Sequence, residues 1–348
     1  MVATEIRVAL DAMGGDNAPD AVIGGAILAL ERHPQIRFQF YGDEARLRPI
    51  LARKSALESV CTVIHADAAI ANDMKVSAAL RAGRNTSMRM AIESVSSGNA
   101  DCVVSAGNTG ALMAIAKLVL KMLPGIDRPA MASFFPTTRG ESVMLDLGAN
   151  LECGAENLAQ FALMGLVFAQ AVLGIKTPSV GILNVGSEEQ KGNDAVKDAA
   201  AILRGTTLPG TFHGFVEGND IPTGTVDVVV TDGFTGNVAL KTAEGMSKLY
   251  ADFLRKTFTS SLVAQLGYIL ARNAFKKLRT RTDARRYNGA VFLGLGGVCV
   301  KSHGGTDAVG FANAISIAVD MVKQDANTKI REGIAGVSTR PVAAAEAI

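Results

Sequence analysis

The residues that could do chemistry cluster in six glycine-bearing loops. They read "DAMGGDN" (11–17), "SAGNTG" (105–110), "DLGAN" (146–150), "NVGSEEQKGN" (184–193), "TDGFTGN" (231–237) and "KSHGGTD" (301–307). Each mixes glycine with small hydrogen-bonding or charged groups. The first holds Asp11, Gly14, Gly15 and Asp16, and the second Gly107, Asn108, Thr109 and Gly110. The fourth holds Asn184, Gly186, Lys191 and Asn193, and the fifth Gly233, Thr235, Gly236 and Asn237. Glycine lets a backbone approach a ligand closely. A helix that starts just afterwards offers free N–H groups and a positive dipole end, which suits an anion. Lys191, Lys241 and Lys301 add point charges in or near these loops. Any one loop alone is explained by a tight strand-to-helix turn. Six together point to one shared anion-binding cleft.

The familiar phosphate motifs are missing. No Gly-x-x-x-x-Gly-Lys-Ser/Thr occurs, and "GLGGVC" (294–299) places Cys299 where the dinucleotide fingerprint needs Gly or Ala. Gly-x-Ser-x-Gly and His-Glu-x-x-His are absent too. The loops therefore suggest a small phosphate-like anion, with no covalent enzyme nucleophile, no required metal and no cofactor.

The loops need elements to position them. Strand candidates are 6–11, 37–42, 61–66, 101–106, 142–148, 179–186, 226–233 and 291–295, several of them almost wholly apolar. Such runs suit strands covered on both faces. Helical patterns alternate with them. One starts with Asn17 as a cap candidate and Pro19 in its first turn; another runs from near Glu156 to Gly174. This alternation predicts an α/β fold with a mainly parallel sheet. The loops would then lie at the carboxyl ends of strands, where open α/β sheets bind ligands. "VVSAGNTGAL" (103–112) and "VVTDGFTGNV" (229–238) echo each other at one spacing, which suggests a shared loop geometry. No linker divides the chain, so 1–330 is expected to be one catalytic domain and 331–348 a frayed tail.

The 348 residues carry a net charge of +2, which by itself predicts no nucleic-acid partner. The four cysteines, Cys61, Cys102, Cys153 and Cys299, lack metal or redox spacing and read as free thiols of a reducing cytosol. "MVATEIRVALD" has no signal-peptide pattern, and no uncharged apolar run is long enough to span a bilayer.

One segment stands apart. Residues 259–286 place Leu262, Leu266, Ile269, Leu270 and Phe275 roughly on one helical face, extended by Leu278. Arg272, Lys276, Lys277, Arg279, Arg281, Arg285 and Arg286 follow. Such a segment can lie on an anionic membrane surface, dock an acidic protein or simply pack.

Taken together, "ALDAMGGDNAP", "ALRAGRNTSM", "SAGNTGAL", "GIDRPA", "DLGAN", "LNVGSEEQKGN", "VVVTDGFTGNVALKT", "YNGAVFLGL" and "VKSHGGTDAVGFANAI" closely resemble the bacterial phosphate acyltransferases (the PlsX type), in order over about residues 8–315. Val76 departs from the pattern, where a proline is expected. The resemblance implies a three-layer α/β/α sandwich similar to isocitrate and isopropylmalate dehydrogenases, with a helical projection over about 255–285. It implies transfer of a long fatty acyl group from acyl carrier protein to inorganic phosphate. The acyl phosphate would serve a membrane glycerol-3-phosphate acyltransferase in phospholipid synthesis. It further implies a cytoplasmic homodimer peripherally bound to the membrane. Acyl carrier protein is acidic, so the basic segment has two clients.

For that reaction the loops at 107–110 and 233–236 would bind phosphate, helped by Asn237 and a lysine. His303 would donate to the oxyanion or protonate the leaving sulfur, or else serve structurally. Asp232 would orient a lysine or the histidine, or form a turn. A nicotinamide-dependent dehydrogenase and a non-catalytic membrane scaffold are the rival classes. The first lacks its fingerprint; the second needs no such cleft.

Overall fold

The computed structural model of the protein describes residues 5–281 and 283–336, with the backbone alone for 278–281, 284 and 336. Its strands are β1 (Ile6–Asp11), β2 (Ile36–Gly42), β3 (Cys61–His65), β4 (Cys102–Ser105), β5 (Ala130–Thr137), β6 (Gly140–Leu145), β7 (Ser179–Leu183), β8 (Thr211–Val216), β9 (Val228–Val230), β10 (Ala290–Leu293) and β11 (Val298–Lys301). Together they form one sheet in the order β3-β2-β1-β4-β11-β10-β5-β6-β9-β7-β8.

Helices cover both faces. Along β1, Val8 and Leu10 enter one core while Ala9 enters the other, as the two-residue strand period requires. The first face is covered by the helices Asp20–Arg32, Ala155–Phe168, Asp194–Arg204 and Ala308–Lys323. Ser87–Ser96 and Thr109–Leu120 cover the second. This is the expected three-layer α/β/α sandwich. The Ala155–Leu173 stretch, helical and then a π-turn, is apolar enough to cross a membrane by length and composition. Two thirds of it is buried here, as the central packing helix of the first face.

The sheet is mainly parallel, but its centre is not. β10 runs antiparallel to β11 and to β5, and β5 runs antiparallel to β6. These three reversals turn the block β6-β9-β7-β8 opposite to the block β3-β2-β1-β4-β11. Carboxyl ends in the two blocks therefore face opposite ends of the sheet. β5, β8 and β11 are missing from the strand candidates: Pro136 interrupts the first, exposed positions alternate in the second, and the third is only four residues long.

Three local expectations change. Asn17 does not cap the first helix, which begins at Asp20; its Nδ2 donates to the Thr306 carbonyl at 2.9 Å. The basic segment is two helices, Leu262–Leu270 and Arg272–Arg281, broken at Ala271. The last helix, Ala326–Gly336, runs past residue 330, and 337–348 lie outside the described residues.

Candidate functional site

Two loop clusters at two ends of the sheet replace the single cleft. Loops 11–17, 105–110 and 301–307 follow β1, β4 and β11, which are neighbours in the sheet. Their hydrogen bonds interlock. Asp16 N–H donates to the Gly304 carbonyl at 2.9 Å, and Ser302 N–H to the Ser105 carbonyl at 2.9 Å. Gly15 has φ +97°, and a Cβ there would lie 2.8 Å from that of Ala106. Glycine is required by both conformation and space.

The second cluster follows β6, β9 and β7 in the reversed block. Gly233 N–H donates to the Asn150 carbonyl at 2.7 Å, and a Cβ on Gly236 would lie 1.9 Å from the Asp146 carbonyl oxygen. Asn237 packs beside Gly148. The adjoining loop is stapled by Asn184, whose Nδ2 reaches the carbonyls of Gly186 and Lys191, while Asn193 caps the next helix. Lys191 pairs with Glu188 at 2.8 Å, which raises the lysine pKa and lowers that of the glutamate. No hydrogen bond among the described residues joins the two clusters. The reversal of the second block is the reason the six loops do not converge within one chain.

The echoed loops also differ in geometry. After β4, the helix begins at Thr109, capped by Asn108, whose Oδ1 accepts from Ala111 N–H at 2.9 Å. After β9, the helix begins at Gly233, capped by Asp232. The Asp232 carboxylate takes both the Thr235 N–H and its hydroxyl, each at 2.8 Å. Ala106 stands where Asp232 stands and has no capping group, so the cap moves to Asn108. Asp232 therefore holds its own helix terminus and lies in the cluster away from His303.

This difference bears on which helix terminus suits an anion. A helix N-terminus attracts negative charge through its free amides and its dipole. At Gly233 the protein's own carboxylate already occupies that place. Asp146 likewise absorbs the amides of Gly148, Ala149 and Asn150. At Thr109 the cap is neutral. Asn108 uses its amide protons on the carbonyls of Asn72 and Met74, at 2.8 and 3.0 Å. That contact fixes the loop and leaves the Thr109 and Gly110 amides for a ligand.

His303 stands in the neighbouring loop after β11. Its own N–H donates to Asn288 Oδ1 at 2.8 Å, and its Nδ1 accepts from Gly305 N–H at 3.1 Å. The neutral ring therefore carries its proton on Nε2, which is left to donate. Partial burial, then Lys241, with smaller effects from Lys301 and Lys248 against Glu244, holds the imidazole pKa below its usual range. Lys241 and Lys248 come from the Gly233–Thr259 helix, which starts in the second cluster and runs back toward the first. Lys241 also pairs with Glu244 at 2.8 Å.

Two expected ligands are instead beneath the cradle. Asp11 and Lys301 are 1% and 8% exposed. Lys301 Nζ donates to the carbonyls of Ala106 and Ser302. Burial pushes its pKa down to about 8, with Lys241 adding to the effect and Asp11 and Asp16 opposing it. Asp16 is at the rim, bonded to Asn72 Nδ2 at 2.6 Å. Gly14 packs over Asp11, and Gly107 against Met88.

The sequence reading passed over Asn288, Ser87 and Ser105. Asn288 clasps the histidine loop through Ser302 Oγ, Thr306 Oγ1 and the Gly310 carbonyl. Its signal was its place in "YNGAVFLGL", as Ser87 had in "RNTSM".

The family model described as "Fatty acid synthesis protein" matches residues 6–329. A protein named phosphate acyltransferase from Rhodospirillum centenum is 66% identical over 97% of this chain and 95% of its own. Another of that name, from Rhodospirillum rubrum, is 58% identical over 98% of this chain and 97% of its own. The chain belongs to the phosphate acyltransferase family. Among solved structures, a phosphotransacetylase from Streptococcus pyogenes superposes with TM-score 0.60 at 16% identity, covering 92% of this chain and 95% of that one. A putative 4-hydroxythreonine-4-phosphate dehydrogenase from Salmonella typhimurium gives 0.52 at 13%, covering 91% and 99%. At such identities these two show the fold alone.

The projection completes the inventory. Phe258, Tyr268 and Phe275 pack together, with centroids 4.7 to 5.7 Å apart, and tie the two short helices to the end of the long one. Phe275 is thus turned inward, away from the expected lipid-facing row. Leu262, Leu266 and Ile269 point outward, 78%, 62% and 62% exposed. Arg272, Lys276 and Lys277 follow on exposed positions, and the Arg279 side chain lies outside the described residues.

Proposed function

We propose that this chain transfers a long-chain fatty acyl group from acyl carrier protein to inorganic phosphate, giving acyl phosphate and the free carrier thiol. Family membership supports the reaction. The observation that carries its placement is the neutral-capped glycine loop after β4, beside the loop that holds His303 with its ring proton on Nε2.

Hydrogen phosphate is already an anionic nucleophile near neutral pH, so no strong base is needed. The Thr109 and Gly110 amides and the Lys241 ammonium hold it beside the thioester, a proximity effect. A phosphate oxygen attacks the carbonyl carbon, and His303 Nε2–H donates to the oxyanion that forms. Collapse breaks the C–S bond. The thiolate leaves readily because a thiol pKa is only about 8.5. Buried Lys301 touches no substrate in these steps and acts only through its charge beneath the loop; the loops of the second cluster, Lys191 and Asn237 have no place in them within one chain.

The assay is phosphate-dependent release of thiol from palmitoyl-acyl carrier protein, with acyl phosphate trapped by hydroxylamine. Thiol release that does not depend on phosphate would overturn the reading.

The same proposal has the product pass to a membrane glycerol-3-phosphate acyltransferase and places the protein in the cytoplasm, peripherally on the membrane. The outward leucines of Leu262–Leu270, followed by the cationic Arg272–Arg281 helix, support contact with anionic lipid. Leu266→Glu with Ile269→Glu should abolish co-sedimentation with anionic vesicles; unchanged binding would refute the contact. Phe234, Val238, Tyr250 and Phe253 are half or more exposed along the long helix, which supports its burial in a homodimer. A monomeric mass by sedimentation would refute that.

A further inference from the structure

Beneath the cradle lies a polar network that the steps above do not use. Asp11 Oδ1 accepts from Ser87 Oγ, and Oδ2 from Ser105 Oγ, both at 2.7 Å. All three residues are at most 1% exposed. Ser105 Oγ in turn accepts from Gly107 N–H at 3.0 Å. The Met13 amide gives Asp11 a further hydrogen bond, and the Lys301 charge lies near it.

The network joins three elements: the end of β1, the first turn of the Ser87–Ser96 helix and the end of β4. It is tightly enclosed. A Cβ on Gly14 would lie 2.5 Å from Asp11 Oδ2, and one on Gly107 would lie 3.4 Å from it. A carboxylate in so dry a place is costly, and packing alone would be served as well by an apolar residue. Burial pushes the Asp11 pKa up, while the serine hydroxyls, the Met13 amide and Lys301 oppose that shift. Asp11 accepts from every polar partner named here, so its ionised form fits them all.

The consequence reaches the ligand side. Gly107 opens the loop whose next amides, Thr109 and Gly110, face the anion. Fixing Gly107 N–H on Ser105 fixes their direction. Lys301 is bonded to the carbonyl of Ala106, in the same loop. We propose that Asp11, Ser87 and Ser105 are positioning residues for phosphate: the carboxylate, gripped by two hydroxyls, aims the 105–110 loop and balances the Lys301 charge below it. None of the three touches the substrate. The inference rests on the acyl-transfer reading for its kinetic test and on phosphate binding alone for its second.

The experiment compares Asp11→Asn, Ser105→Ala and Ser87→Ala with the wild type by steady-state kinetics across pH and by calorimetry with inorganic phosphate. Asp11→Asn should raise the phosphate KM and Kd about tenfold or more, and Ser105→Ala about three- to tenfold, with the acyl-carrier KM unchanged. The groups facing Lys301 are Asp11 and Asp16, which hold its proton on, and Lys241, which works against it. Removing the Asp11 charge should therefore move the alkaline limb of kcat/KM for phosphate to lower pH. Ser105→Ala, which removes no charge, should leave that limb in place. Folded Asp11→Asn with wild-type phosphate affinity and an unmoved limb would overturn the proposal, as would equal rises in both KM values. If Asp11→Asn fails to fold, the two serine variants decide by the same KM split. If the wild type binds phosphate but releases no thiol, the acyl-transfer reading falls, and calorimetry still decides the positioning role.

Discussion

The loops after β4 and β9 share Val-Val, a hydroxyl residue and Gly-x-Thr-Gly at one spacing, yet they make opposite surfaces. One ends in a neutral cap and leaves amides for an anion; the other ends in a carboxylate that has already taken them. A single position decides this. Ala106 cannot cap and Asp232 can, so the helix starts two residues later in the motif after β4 than after β9. A glycine loop is thus not an anion site by its glycines alone. The charge of its cap determines what the helix terminus attracts.

The comparison can be broken most forcefully at His303, whose loop belongs to the first cluster. His303→Ala should lower kcat by about 10²- to 10⁴-fold with little change in the phosphate KM. Unchanged turnover of folded enzyme would remove the histidine from the chemistry and weaken the choice of this end. Next is the cap itself. Asn108→Asp puts a carboxylate where the second loop has one. It should raise the phosphate KM about tenfold or more through like-charge repulsion and loss of the grip on Asn72 and Met74. A smaller change would show that the phosphate lies elsewhere.

A pH profile is a milder probe. Catalysis by neutral His303 should persist through the usual histidine range and fall only at lower pH, since the imidazole pKa is depressed. Cationic Lys301 should be lost as pH rises through about 8, which lowers kcat/KM for phosphate on the alkaline side. A flat alkaline limb would separate Lys301 from binding. The smallest effect belongs to Asp232→Asn. It should cost about 1 kcal/mol or less in urea unfolding and leave the phosphate KM within about twofold. A large rise in KM would restore the second loop to the phosphate site.

Much of this protein was legible because the relevant physics is local. Apolar runs gave most of the expected strands; Gly15 marks a turn and Gly236 a close approach of its helix to the Asp146 carbonyl, because a side chain has no room at either. The motif order gave the family. What sequence could not show was pairing. β10 and β5 reverse the second half of the sheet through contacts far apart in the chain, such as Val291 with Ala132. No local pattern records the direction of a neighbour. The inward turn of Phe275 goes with its aromatic contact with Phe258, again a matter of packing.

By itself, then, the sequence determined the residue chemistry: glycine loops, lysines, one histidine among them, and an α/β sandwich to carry them. Tertiary structure alone decided which loops meet. It moved Asp11 and Lys301 from the ligand's surface to its foundation and brought Lys241 from one end of the sheet to the other along a helix. The reason is that burial and strand direction are set by the whole chain, whereas propensity and capping are set by a few neighbouring residues.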